Sequence, residues 1–152
     1  MHIVLVEPEI PQNTGNIART CALTRSVLHL VKPLGFSVED RYLKRAGLDY
    51  WDKVEVKLWD RLDDLLQAFP NHRKLLATTR TQQSYHEIQY HQDDMLVFGP
   101  ESRGLPQEIL NLFPDHLIRI PMLNIGRSLN LSNSVAIIVY EALRQLDFPG
   151  LR

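Results

Sequence analysis

The chain holds little that would staple it, anchor it in a membrane or give it a strong charge. A single cysteine, Cys21, excludes an intrachain disulfide and suits a reducing cytoplasm. It sits in an apolar stretch with no histidine nearby in sequence, which reads as buried filler rather than a nucleophile. No apolar run approaches the ~20 residues of a membrane span. Met1-His2 leads directly into a strand-like run, so no leader peptide and no membrane partner are expected. The formal charge of −1 gives no global pull toward nucleic acid, and an RNA or DNA partner would need a local basic patch. A G-x-G-x-x-G turn after the first strand and a G-x-x-x-x-G-K-[ST] loop are both missing, which leaves an ordinary dinucleotide fold and a P-loop unsupported. The six histidines are scattered. His86 and His91, five apart, fall on different faces of a helix, so no metal site is expected. Asp63-Asp64 and Asp93-Asp94 read as solvated surface or turn acids.

What remains is ordinary for a soluble globular chain: 44% apolar and 23% charged residues. A length of 152 residues predicts one domain over 1–152, burying roughly 70% of its unfolded surface. Strands and helices alternate. Strands are expected at residues 2–6, 28–31, 54–58, 74–78, 95–99 and 117–120, and helices at 16–24, 38–46, 61–69, 106–113 and 131–146. Gly47 would end the second helix, Asp60 would cap the third, and Pro106 would occupy the first position of the fourth. The run His2-Ile3-Val4-Leu5-Val6 is apolar and β-branched, as for a strand buried on both faces. The pattern predicts an α/β fold, a mostly parallel sheet with helices on both faces.

The last helix carries two apolar stripes. Val135, Ile138, Val139, Ala142 and Leu146 form one, while Ala136, Ile137, Tyr140 and Leu143 form another, displaced around the axis. A helix apolar on two faces buries both. One face would pack on the sheet, and the other either on a second subunit or inside the monomer.

Three polar loops lie at carboxyl ends of strands, where α/β proteins hold ligands. In the first, residues 8–19, Asn13 or Thr14 can serve simply as a helix cap. Arg19, placed one turn into a helix whose dipole disfavours a cation, then stands unexplained and suggests a task on phosphate or hydroxyl. A solvated arginine is the plainer alternative. In the second, residues 100–106, the glycines and prolines around Glu101 fix an unusual path, either to present Glu101 and backbone groups to a ligand or as a rigid turn with Glu101 pairing Arg103. In the third, residues 120–134, Ser128, Asn130, Ser132 and Asn133 all suit a helix cap where one is enough. Arg41, Lys44, Arg45, Lys53 and Lys57 provide either a basic surface or a solvated helix and strand edge.

Asn13-Thr14-Gly15-Asn16-Ile17-Ala18-Arg19, Phe98-Gly99-Pro100-Glu101-Ser102-Arg103-Gly104-Leu105 and Ile120-Pro121-Met122 with Ser128-Leu129-Asn130-Leu131-Ser132 resemble motifs one, two and three of the SpoU-type ribose 2′-O-methyltransferases, in the SPOUT superfamily. The resemblance spans essentially the whole chain. Glu7-Pro8-Glu9-Ile10-Pro11-Gln12-Asn13 and Arg45-Ala46-Gly47-Leu48-Asp49-Tyr50 are similar to the minimal members that act on the tRNA wobble nucleotide.

That resemblance implies a C-terminal deep trefoil knot and a homodimer through the last helix. It implies S-adenosyl-L-methionine as cofactor, held around Thr78, Gly99, Ile120 and Met122 and closed in by Ser128 and Leu129. A side chain at Gly99 would then fill space the nucleoside needs. It implies a catalytic neighbourhood of Arg19, Asn13, Glu101 and Asn130, with Arg19 binding the adjacent phosphate and stabilising developing alkoxide, because a guanidinium is a very poor base. The implied reaction is 2′-O-methylation of the wobble ribose, cytidine or uridine at position 34, in the anticodon loop of tRNA. Methylation of another tRNA or rRNA ribose, a non-catalytic dimeric RNA-binding module and a small-molecule α/β enzyme are the alternatives.

Overall fold

The computed structural model of the chain describes residues 1–39, 41, 43, 45 and 50–152. Its strands are β1 (His2–Val6), β2 (Val27–Val31), β3 (Val56–Trp59), β4 (Lys74–Ala77), β5 (Met95–Phe98) and β6 (Leu117–Ile118). Its described helices are α1 (Pro11–Thr24), α2 (Leu62–Ala68), α3 (Gln107–Leu110) and α4 (Leu131–Gln145). One six-stranded sheet runs β3-β2-β1-β5-β4-β6, with every pairing parallel.

Alternation along buried strands divides the core between two faces. Ile3, Leu5, Leu28, Leu30, Leu96 and Phe98 point to one face, against Ile17, Ala18 and Cys21 of α1 and Val135, Ile138 and Val139 of α4. Val4, Val6, Val31, Met95 and Val97 point to the other, against Leu65 of α2 and Leu110 of α3. Helices thus cover both faces, as the periodicity predicts. The chain winds outward from β1 through β2 to β3, then restarts on the far side of β1. The crevice between β1 and β5 is therefore the topological switch point, the usual ligand position in such sheets.

Several local expectations change. Helix α1 begins at Pro11, not near Asn16, because proline at the first helical position starts the helix without a side-chain cap. Asn13, Thr14 and Gly15 are accordingly buried within the helix rather than capping it, and Arg19 lies well past the first turn, where the dipole argument has no force. Asp60 does not cap α2; its carboxylate instead accepts from Lys32 Nζ at 2.9 Å. Pro106 is the N-cap of α3, one position before the first turn. Of the helix expected over 38–46, residues 41, 43 and 45 are helical, while 40, 42, 44 and 46, and the stop at Gly47, lie outside the described residues. Asp94 is buried rather than solvated, gripped by Arg73 through Nε at 2.9 Å and Nη2 at 2.6 Å. Cys21 is fully buried, and burial pushes its thiol pKa up to about 12, so it stays protonated and inert.

Candidate active site

The loops after β1, β5 and β6 converge at one end of the sheet on a cavity of about 550 Å³. Its walls combine apolar side chains (Leu105, Ile118 and Ile138 among them) with backbone of the 99–105 loop and polar groups from Asn13, Glu101 and Asn130. Thr78, Gly99, Ile120, Met122, Ser128 and Leu129 all line it. The size and mixture suit a nucleoside-sized ligand, with an apolar slot for a base and a few directed polar groups.

Carboxylates clasp the first two loops to each other. Glu101 accepts from the backbone N–H of Glu9 at 2.8 Å and of Ile10 at 3.1 Å, just where α1 starts. Glu9 returns the clasp, accepting from the Ser102 N–H at 2.8 Å and the Ser102 hydroxyl at 2.7 Å. These bonds hold the Glu9 carboxyl below its ordinary pKa, the Ser102 hydroxyl contributing most. Arg103 reaches back to the Glu7 carboxylate, and does not pair with Glu101.

The third loop joins through two amides. Asn13 Nδ2 donates to Glu101 Oε1 at 3.2 Å, and Asn130 Nδ2 donates to Asn13 Oδ1 at 3.0 Å. Asn130 is also the N-cap of α4, its Oδ1 accepting from the N–H groups of Ser132 and Asn133. Three of the four residues expected at the catalytic centre therefore form one connected chain. Glu101 takes three donors within it, which makes it an organiser of loops rather than a free base.

Gly99 sits where β5 turns into the second loop. An added Cβ would meet Leu105 N at 2.3 Å and Gly104 C at 2.4 Å, with Gly104 itself at φ 68°. Glycine is needed because the loop folds back over its own strand, so the clash is with protein backbone and not with ligand space. The same close return presents backbone N–H and C=O groups to the cavity, an arrangement that fits a nucleoside cofactor.

The sequence matches the model of the SpoU rRNA Methylase family over residues 1–140. The chain belongs to the SpoU methylase family. A relative from Methylovorus glucosotrophus (strain SIP3-4), named tRNA (cytidine(34)-2'-O)-methyltransferase, is 51% identical over 149 residues, which are 97% of each chain. A solved structure described as "Structural insights into the 2-OH methylation of C/U34 on tRNA" superposes with a TM-score of 0.92 at 48% identity, covering 96% of this chain and 95% of that one. The SpoU methyltransferase AviRb from Streptomyces viridochromogenes, in complex with the cofactor AdoMet, shares the fold at a TM-score of 0.85 and 20% identity, covering 100% of this chain and 59% of that one.

Against the SpoU motifs, one expected residue stands apart. Arg19 is exposed on α1 and does not line the cavity; its guanidinium carbon lies 4.8 Å from the ring centroid of Tyr50. Residue reading missed the Glu9–Ser102 clasp. Both residues lie in quoted motifs, but a hydrogen bond across 93 positions leaves no local pattern. It also missed the cationic rim, where Arg80, Arg103 and Arg127 line the cavity. Histidines that look scattered in sequence partly gather elsewhere: His2 Nδ1 lies 2.9 Å from His29 Nε2, and Trp59 Nε1 donates to His29 Nδ1 at 3.0 Å. Among the described residues no group of three His, Cys, Asp or Glu is placed to hold a metal, and no helix is long and apolar enough to cross a membrane.

Proposed function

We propose that this chain transfers the methyl group of S-adenosylmethionine to the ribose 2′-oxygen of the tRNA wobble nucleotide, cytidine or uridine at position 34. The observation that carries this reading is the near full-length likeness, at 51% identity, to a relative named for that reaction. The chain Glu101–Asn13–Asn130 supports it by tying all three SpoU motifs around one cavity.

When bound, S-adenosylmethionine would supply an electrophilic methyl carbon. The ribose 2′-oxygen would bond to it as the carbon–sulfur bond breaks, the thioether S-adenosylhomocysteine leaving and the hydroxyl proton passing to solvent. Backbone around Thr78, Gly99, Ile120 and Met122, which line the cavity, would hold the adenosine, and Ser128 and Leu129 would close the site. Glu101, Asn13 and Asn130 keep the three loops in register so that the methyl faces the acceptor. Arg19 lies outside the cavity lining; its role in this reading is to bind the phosphate beside the target ribose and to stabilise negative charge growing on the 2′-oxygen.

In this reading one SPOUT domain over residues 1–152 acts as a cytoplasmic homodimer. Ile137 and Tyr140 support the dimer, being 36% and 48% exposed on α4 beside its buried stripe. The deep trefoil knot is supported by the return of the chain from edge strand β6 to α4, which packs on α1 and β5 near the sheet centre. The test is mass spectrometry of nuclease digests after reaction of the purified protein with tRNA. Methyl is expected only on the position-34 ribose, and a transcript carrying 2′-deoxyribose there should remain unmodified. Methyl on a base, or on a ribose outside the anticodon loop, overturns the assignment.

A further inference from the structure

Arg19 and Lys53 come from separate segments, yet both cations lie over one aromatic ring. The Arg19 guanidinium carbon is 4.8 Å from the Tyr50 ring centroid, and Lys53 Nζ is 5.9 Å from it. Both cations are exposed, while Tyr50 is half-buried. Among the described residues no carboxylate pairs with either cation. Their neighbours differ: Lys57 is paired with Glu55 at 3.1 Å and Lys32 with Asp60 at 2.9 Å.

Two like charges gathered on one ring repel each other, and among the described residues no paired carboxylate offsets that repulsion. The ring face attracts each cation. A guanidinium lying over a ring keeps its N–H groups at its edge, where they stay free for a planar, multidentate acceptor. An arginine and a lysine held on one ring, with no carboxylate paired to either among the described residues, suit a phosphodiester.

We propose that Tyr50 is a positioning residue that holds the Arg19 guanidinium, and that Arg19, Tyr50 and Lys53 together seat an RNA backbone phosphate outside the cofactor cavity. This rests on the RNA 2′-O-methyltransferase reading and on the role given there to Arg19. It adds what holds the Arg19 guanidinium in place, and it names a second cation for the same phosphate.

The experiment uses the whole protein with tRNA, measuring kcat and KM alongside cofactor binding and melting temperature. Tyr50→Leu should lower kcat on the order of tenfold or more, the scale of a misplaced reacting group, with cofactor binding and melting temperature unchanged. Tyr50→Phe, which keeps the ring, should restore most of that loss. Arg19→Ala combined with Tyr50→Leu should be no worse than Arg19→Ala alone, since coupled residues are non-additive. Lys53→Ala should raise KM for tRNA and make the slope of log affinity against log salt shallower by about one. Wild-type activity in Tyr50→Leu with an inactive Arg19→Ala overturns this proposal and leaves the reading of Arg19 standing. Wild-type activity in Arg19→Ala overturns both. Parallel loss of cofactor binding or melting temperature in Tyr50→Leu assigns the ring to the fold and overturns the proposal.

Discussion

Asn130 donates from Nδ2 to Oδ1 of Asn13 at 3.0 Å, and the orientation of both amides is forced from their far ends. Asn130 Oδ1 must face the N–H groups of Ser132 and Asn133, which leaves its Nδ2 as the donor. Asn13 must then accept through Oδ1, which turns its own Nδ2 toward the Glu101 carboxylate. The free N–H groups at the start of α4 thereby orient a side chain on α1 and, through it, the carboxylate that holds the second loop.

Asn130→Asp separates the cap from the relay. Aspartate caps as well as asparagine, but it cannot donate to Asn13. Melting temperature should stay close to wild type while methyl transfer falls on the order of tenfold or more, because the loops lose their register. Asn130→Ala loses the cap as well, about 1 kcal/mol, and should melt roughly 2–4 °C lower. Equal activity in Asn130→Asp and wild type, measured by methyl incorporation into tRNA, would show that the relay does not matter to catalysis.

Gly99→Ala, a single added methyl group, should be enough to displace the second loop, since its Cβ falls 2.3 Å from Leu105 N. Calorimetry should show wild type binding S-adenosylmethionine in the micromolar range, ~−8 kcal/mol, and the variant at least about tenfold weaker. Unchanged affinity in a variant with a native circular dichroism spectrum would place the cofactor away from this turn.

Ile137→Asp and Tyr140→Asp address the exposed side of α4. Light scattering at micromolar concentration should give about twice the 17.6 kDa chain mass for wild type. Each variant should be monomeric or aggregate, because an unpaired carboxylate buried in an interface costs several kcal/mol. A monomeric and fully active wild type contradicts the proposed dimer.

His2 and His29 make stability depend on pH. Burial lowers the His29 pKa to about 3 and the His2 pKa to about 4, from an ordinary 6.5, with neighbouring positive charges adding to the effect. Trp59 can only donate to His29 Nδ1, so His29 carries its proton on Nε2 and donates it to His2, an arrangement that needs both rings neutral. Below about pH 6.5 the unfolded chain binds protons that the folded chain refuses, so the stability these rings contribute is present above that pH and is lost as pH falls toward 4. Urea melts between pH 7.5 and 4.5 should show this decline, and His29→Phe should flatten it. Parallel pH profiles for the two proteins would assign the decline to other groups.

The parallel α/β class was legible because a strand buried on both faces must be a continuous apolar run and its flanking helices must be amphipathic; both are local patterns. The loops that line the cavity were legible for a related reason, while the individual cofactor residues among them came from the resemblance to the SpoU motifs. Loops at the carboxyl ends of parallel strands share one end of the sheet, and their surplus of polar residues and glycine shows in sequence. The start of α1 was misplaced because Pro11 begins a helix without the capping side chain that marks most starts. Asp94 was misread as solvated because its partner, Arg73, lies 21 positions away.

The residues themselves determined which segments became strands and helices, and which loops carried chemistry, since those depend on neighbours along the chain. Only the tertiary structure decided what each polar side chain does: that Glu101 is spent on the first loop, that Asn130 serves α4 and Asn13 together, and that Arg19 stands over Tyr50 away from the cavity. Hydrogen bonds and ring contacts act within a few ångströms in space, and here they join positions 88, 117 and 92 residues apart, a separation that no local pattern in the sequence records.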